Sequence, residues 1–197
     1  MSTMAPRRSS THWLTILFGT TSRGPAMNVA LLAVRITLAW IFLYYGAAKL
    51  FSAFPGAGPN GIHQTALYMS QAAGLRPGEL FAVLAGVTEF GGGVAMALGF
   101  CTRLAGLALL GDMVMATVTV TWATGLSSTT SPPGYQLNLA LGALALTAAL
   151  IGAGRYSVDA LISDAVGRRA QAPSSRDDLV HTGPASSSPP RRRAPSS

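Results

Sequence analysis

Three ionisable residues lie well inside long apolar segments of this 197-residue chain. They are Arg35, Glu89 and Asp112, and each occupies a different segment. A charged side chain is costly in hydrocarbon, so within a membrane it usually faces a partner or a water-filled cavity. Such residues fit a proton relay, a polar pocket for the head group of a lipophilic molecule, or a structural ion pair that fixes helix packing. The sequence alone leaves these alternatives open.

Four apolar segments are each close to the roughly 20 residues that a helix needs to cross a bilayer. They span residues 28–48, 80–100, 104–124 and 135–153, and the fourth carries no charge. We therefore predict an all-α fold, a four-helix transmembrane bundle with an extracytoplasmic loop between spans 1 and 2 and disordered tails.

The segments outside the spans predict three regions along the chain. Residues 1–27 form a basic cytoplasmic leader, residues 28–166 the four-span membrane domain, and residues 167–197 a disordered tail rich in Ser, Pro and Arg. The loop over 51–78 is rich in Gly and Pro in its first half, and its second half has the spacing of a short amphipathic helix over 62–75. We expect this helix to cap the outer end of the bundle.

The basic residues are distributed as membrane topology requires. The net charge is +7, yet only 11% of the residues are charged, against about 25% in soluble domains. Of 14 Lys and Arg residues, eleven flank the predicted inner ends of the spans; Lys49 and Arg76 lie at the other side, and Arg35 lies within a span. This bias predicts a multi-pass protein of a bacterial plasma membrane with both termini cytoplasmic. We attribute the charge to topology and predict no nucleic-acid binding.

The three charged residues share a predicted depth. A rise of 1.5 Å per residue places Arg35, Asp112 and Glu89 at about 10, 12 and 16 Å from the inner boundary. Small residues accompany both acids on one helix face, which is typical of packing faces in membranes. We predict that Arg35 contacts Glu89 or Asp112 inside the bundle and that Asn138 on the fourth span completes this intramembrane polar cluster.

A second group of polar residues is predicted nearer the outer surface. Tyr45, Lys49 and Tyr135 fall at the outer ends of their segments and define an outer-side pocket. Aromatic belts at membrane interfaces explain the two tyrosines equally well.

Residues that bind metals or redox cofactors are scarce. Cys101 is the single cysteine, which excludes an intrachain disulfide or a Cys-x-x-Cys pair. His12, His63 and His181 all lie outside the spans, so they cannot hold a haem between helices. We predict no metal site, and a bound quinone is the one cofactor candidate.

Four short elements in a fixed order carry a family resemblance. They are GAAKLF at 46–51, EFGGG at 89–93, LGFCTRLA at 98–105 and GAGRYSVD at 152–159. Together with Arg35 early in the first span, their order and spacing resemble the DoxX family of small four-span membrane proteins. The resemblance extends over about residues 35–161, nearly the whole predicted membrane domain.

The resemblance implies a link to quinone-dependent oxidation of sulfur compounds and to membrane oxidoreductase complexes, with superoxide dismutase or a sulfurtransferase as partner proteins. Tyr45 and Trp122 stand where many relatives carry His, so ligand chemistry by those histidines is absent here. The resulting hypothesis is a membrane subunit or scaffold of an oxidoreductase system for redox or thiol stress, without a complete active site of its own. Two alternatives remain: a quinone-reactive subunit using Arg35 and Glu89, and a small transporter or channel using the charged cluster.

Overall fold

A computed structural model describes residues 24–127, 129 and 133–171 of the chain. The regular secondary structure within these ranges is entirely helical, with no strand. Residues 117–121 form a π-helical turn directly after the α-helix that ends at Ala116, and residues 122–124 form a single 3₁₀ turn. The helices are α1 Pro25–Phe51, α2 Ile62–Gln71, α3 Gly78–Leu98, α4 Thr102–Ala116, α5 Gln136–Ile151 and α6 Val158–Gln171.

Three helical segments are long and apolar enough to cross a membrane, within the part of the chain that the structure describes. They are Pro25–Phe51, Gly78–Leu98 and Thr102–Thr124, while Gln136–Ile151 is a shorter apolar helix. Large apolar side chains point outward along them, and Trp40 is 78% exposed. Such a surface is stable in lipid and unfavourable in water, so the chain is an all-α membrane protein. Because α5 spans only about 24 Å, its role as a fourth span stays a prediction.

The bundle is built from two helix pairs, α1 with α3 and α4 with α5, and α3 also packs against α4. Glycine allows α1 and α3 to approach closely, because a Cβ on Gly46 of α1 would collide with the backbone of Phe90 on α3. Leu38, Phe42 and Met96 lie in the core between these helices and are almost completely buried. The antiparallel pairing of α1 with α3 therefore sets which of their side chains share a level.

The two ends of the bundle differ, and we name them by what closes them. At the cap end, α2 packs on α3, and the N–H of Gly61 donates to the carbonyl of Ala48 at 2.8 Å. At the clasp end, the turn between α3 and α4 meets the loop between α5 and α6, and Asp159 N–H donates to the carbonyl of Gly99 at 3.0 Å. α1 runs from the clasp end to the cap end, and α3 runs back.

Two predicted boundaries are wrong. The helix in the first loop ends at Gln71, and the chain from 72 to 77 is irregular. α6 continues to Gln171, so residues 167–171 are helical where the tail was predicted to be disordered. Arg and Ala are good helix formers, and basic residues near a helix C-terminus complement its dipole, which explains the extension. The predicted leader up to residue 23 and the tail from 172 lie outside the described residues.

Candidate functional site

An ion pair between α1 and α3 anchors the site. Lys49 Nζ donates to Glu89 Oε1 across 40 positions of sequence. Glu89 is only 4% exposed, and the Lys49 side chain keeps a partial exposure of 19%. Gly46 lies one helical turn before Lys49, and its contact with Phe90 brings the two helices close enough for the pair to form.

Asp112 on α4 adds a second carboxyl group beside this pair. The carboxyl groups of Asp112 and Glu89 lie close enough to interact directly. Among the described residues, Glu89 Oε2 and Asp112 Oδ2 are both buried without a hydrogen-bond donor. Two carboxylates repel each other at this range, so the pair needs a shared proton or an external donor. This need for a donor is what marks the position as a site.

A cavity of about 490 Å³ opens onto these groups. It lies toward the cap end, between α1, α3, α4 and α5, and residues of α2 also line it. Its walls are mostly apolar, with aromatic and methionine side chains. Partial burial raises the pKa of the Tyr68 hydroxyl of α2, which also lines the cavity. The polar residues of its lining include Tyr45, Lys49, Thr65, Tyr68, Glu89, Asp112, Thr119, Thr121 and Asn138.

The π-helical turn at Thr117–Thr121 shapes one wall of the cavity. Its sequence, TVTVT, consists of β-branched residues, which are poor helix formers. Thr119 Oγ1 donates to the carbonyl of Met115 at 2.7 Å, and Thr121 Oγ1 accepts from Asn138 Nδ2 at 3.2 Å. Thr119 and Thr121 were not predicted as site residues, although the alternating Thr and Val run could have indicated an irregular turn. Such turns are frequent at functional sites.

Arg35 lies at the clasp end and does not join the carboxyl groups. Its guanidinium is 2% exposed and donates to four main-chain carbonyls. Nε donates to Met96 at 3.0 Å, Nη2 to Ala97 at 3.2 Å, and Nη1 to Ala153 at 3.0 Å and Tyr156 at 2.7 Å. Arg35 therefore ties the C-terminus of α3 to the loop after α5.

The predicted contact of Arg35 with Glu89 or Asp112 is wrong, and helix direction explains why. Side chains on a helix tilt toward its N-terminus, which for α1 is the clasp end. The long Arg35 side chain therefore extends away from the cavity, to the level where α3 ends. The last carbonyls of a helix lack intrahelical donors, and the negative end of the helix dipole favours a cation there.

Asp159 completes the clasp and was not predicted as a site residue. Its Oδ1 accepts from the N–H of Cys101 at 2.8 Å, and its Oδ2 accepts from the N–H of Thr102 at 3.0 Å. A carboxylate at the N-terminus of α4 satisfies free amides and complements the helix dipole. Asn28 of α1 adds a further tie, since its Oδ1 accepts from the N–H of Arg155 at 3.1 Å.

The structure thus merges most of the two predicted groups into one cavity. Tyr45 and Lys49 of the outer-side pocket lie with Glu89, Asp112 and Asn138 of the intramembrane cluster. Tyr135 is not part of the lining and instead stacks on Trp122 with ring centroids 5.6 Å apart. No group of three potential metal ligands occurs among the described residues.

Comparison with known proteins places this architecture in a family. A sequence model of the DoxX family matches residues 30–122, which run from α1 through α4. This match supports membership of the DoxX family. Among curated proteins and among solved structures, nothing matches the chain. The DoxX match ends before α5 and α6, so the element at 152–159 lies outside it.

The elements that resemble DoxX proteins fall at the two ends of the DoxX bundle. At the cavity, Lys49 of the first element pairs with Glu89 of the second, and Gly46 of the first packs against Phe90 of the second. At the clasp, Gly99 of the third element has a positive φ of 66°, and a Cβ there would collide with Arg35. Asp159 of the fourth element caps the helix that follows Gly99. The first two elements therefore build the cavity, and the last two close the clasp end.

Proposed function

We propose that this DoxX-family protein is a membrane subunit of an oxidoreductase system and binds a lipophilic molecule of the quinone class in the cavity. The observation that carries this proposal is the 490 Å³ cavity whose mostly apolar walls converge on Lys49, Glu89 and Asp112. Small-molecule sites commonly combine apolar walls with a few convergent polar groups, and this volume falls in their usual range.

The proposed ligand follows from where the cavity lies. Its lining comes from helices that expose apolar side chains to lipid, so the natural ligands are molecules that dissolve in the membrane. The charged groups of the lining, Lys49, Glu89 and Asp112, lie together where α1, α3 and α4 meet, which suits a ligand with one polar ring and an apolar tail. A quinone ring with its isoprenoid chain has this form.

The role as a subunit rests on the chemistry that the cavity contains. Lys49, Glu89 and Asp112 can hold, orient and exchange protons with a head group, but none of them carries electrons. Electron transfer to or from the ligand would then need a second protein. Superoxide dismutase and a sulfurtransferase are the partners proposed from the resemblance, and gentle copurification followed by protein identification tests them.

The clasp end argues against the channel alternative. Leu38, Met96 and Leu109 are fully buried and fill the bundle between the level of Asp112 and that of Arg35. Arg35 itself is occupied by four carbonyls at this end. A packed apolar layer of this kind obstructs a water path, so the cavity suits a bound molecule better than a permeating ion.

A ligand-binding experiment with a cavity-filling variant tests the proposal. The protein is purified in lipid nanodiscs, and binding of a short-chain quinone is measured against empty nanodiscs. Ala116→Phe adds a ring to the cavity wall and should weaken binding at least tenfold. Ala143→Phe makes the same change on an exposed position of α5 and should leave binding unchanged.

Three results would contradict the proposal. One is the absence of saturable quinone binding above that of empty nanodiscs. Another is equal binding by the two phenylalanine variants, which would place the quinone outside the cavity. The third is turnover of a quinone by the isolated protein without a partner, which would overturn the subunit role.

A further inference from the structure

The hydrogen-bonding groups of the cavity are unevenly divided, and this division defines the ligand further. We propose that the cavity selects molecules whose polar head donates hydrogen bonds, so that it binds a hydroquinone in preference to the matching quinone. This inference rests on the proposed quinone-class ligand and adds the redox form that the site prefers.

Several donors in the cavity lining are already used inside the protein. Thr65 Oγ1 donates to the carbonyl of Gly61 at 2.8 Å, and Thr119 Oγ1 to that of Met115 at 2.7 Å. Asn138 Nδ2 donates to Thr121 Oγ1 at 3.2 Å. A hydroxyl that donates to a backbone carbonyl offers only lone pairs to a ligand. Thr65 and Thr119 therefore present acceptors to the cavity, and Asn138 has one of its two amide donors engaged.

Acceptors, by contrast, are in excess where the polar groups converge. Glu89 Oε2 and Asp112 Oδ2 are buried and lack donors among the described residues, while Lys49 uses one of its three N–H donors on Glu89 Oε1. An ionised carboxylate has about four lone-pair positions and no donor. Even a proton shared between the two carboxyls leaves lone pairs on both groups. These two carboxyl oxygens are therefore acceptors whose donors the described residues do not supply.

The two redox forms of a quinone differ in whether they can donate a hydrogen bond to these carboxyl oxygens. A hydroquinone has two phenolic O–H groups, and one of them can donate to Glu89 Oε2 or Asp112 Oδ2 while its oxygen accepts from Lys49. A quinone has carbonyl oxygens only, which can also accept from Lys49 but leave Glu89 Oε2 and Asp112 Oδ2 without a donor. Buried acceptors without donors are unfavourable, and we expect the difference to be about tenfold or more in Kd.

A series of matched ligands tests the preference. The protein in nanodiscs is titrated without oxygen with a decyl-substituted benzoquinone, its hydroquinone and the dimethyl ether of that hydroquinone. The ether keeps the ring and its oxygens and removes both donors. The expected result is a hydroquinone Kd at least about tenfold below those of the quinone and the ether. Equal affinities would overturn the preference and leave the proposed function standing, whereas no saturable binding of any of them would overturn both.

Two further measurements separate hydrogen bonding from charge. Asp112→Asn supplies an amide donor beside Glu89 and should reduce the preference for hydroquinone severalfold, while Asp164→Asn, the same change at an exposed site on α6, should leave it unchanged. An unchanged preference in Asp112→Asn would overturn the inference. Tetraphenylphosphonium, a lipophilic cation without donors, should bind more weakly than the hydroquinone. Tighter binding of this cation would show that the cavity selects positive charge instead.

Discussion

Lys49 and Glu89 meet because they point toward each other along antiparallel helices. Side chains tilt toward the N-terminus of their helix, so Lys49 on α1 extends toward the clasp end and Glu89 on α3 toward the cap end. The same rule sends Arg35 away from the cavity, although it lies on the same helix as Lys49. The two cations of α1 therefore serve different ends of the bundle, about 21 Å apart along the helix.

Removing either member of the ion pair should destabilise the protein unequally. Lys49→Met leaves the Glu89 carboxylate buried without its cation, and we expect a loss of about 2–4 kcal/mol in the free energy of unfolding. Glu89→Gln should cost less, because an amide still accepts from Lys49. Unfolding of the reconstituted single and double variants gives the coupling energy. Strictly additive effects would show that the pair does not interact.

Replacing Gly46 should disturb the cavity from a distance. Gly46→Ala places a methyl group against the backbone of Phe90, so α1 and α3 must separate, at a cost of about 1–3 kcal/mol. Gly91→Ala on the same α3 helix meets no atom within 4 Å and should be neutral or stabilising by up to about 1 kcal/mol. Thermal unfolding and quinone binding are measured for both. A harmless Gly46→Ala would contradict the close packing.

Arg35 should be required for stability and not for ligand binding. Arg35→Met leaves four buried carbonyls without their donor, and the expected loss is about 3 kcal/mol or more. Arg35→Lys should recover only part, because one ammonium cannot reach all four carbonyls. Arg155→Met, at an exposed side chain nearby, is the control. Normal stability of Arg35→Met with lost ligand binding would contradict the separation of clasp and cavity.

The reactivity of Cys101 should report on the clasp. Burial and the negative charge of Asp159 raise the pKa of the Cys101 thiol, so less thiolate is present at a given pH. Asp159→Asn removes the charge and should move the midpoint of alkylation by iodoacetamide to lower pH. The plateau rate at high pH reports access separately from pKa. An unmoved midpoint with a higher plateau would show that Asp159 only shields the thiol.

The predicted topology is tested by labelling from one side of the membrane. Single cysteines at Gln71, at the end of α2, and at Asp164, on α6, are introduced into a Cys101→Ser background. Because basic residues concentrate at the clasp end, an impermeant reagent applied to intact cells should label only the first. Labelling of the second from outside would reverse the orientation.

The apolar segments and the polar residues between them were sufficient to predict most helices. Long apolar stretches predicted the three long helices to within a few residues at their ends, because hydrocarbon length and the helical rise impose the same requirement on any sequence. The DoxX elements in the sequence also predicted the family, which the match to residues 30–122 confirms.

Which polar residues meet was decided only by the tertiary structure. From predicted depth alone, we expected Arg35 to contact Glu89 or Asp112. The helical rise gives the level of a Cα atom, but it does not give the direction in which the side chain extends. The close contact of Gly46 with Phe90 selected Lys49 as the partner of Glu89, and the carbonyls at the end of α3 attracted Arg35. The sequence determined that charges had to be satisfied within the bundle, because lipid offers no donors or acceptors. Helix packing and direction determined how each charge was satisfied.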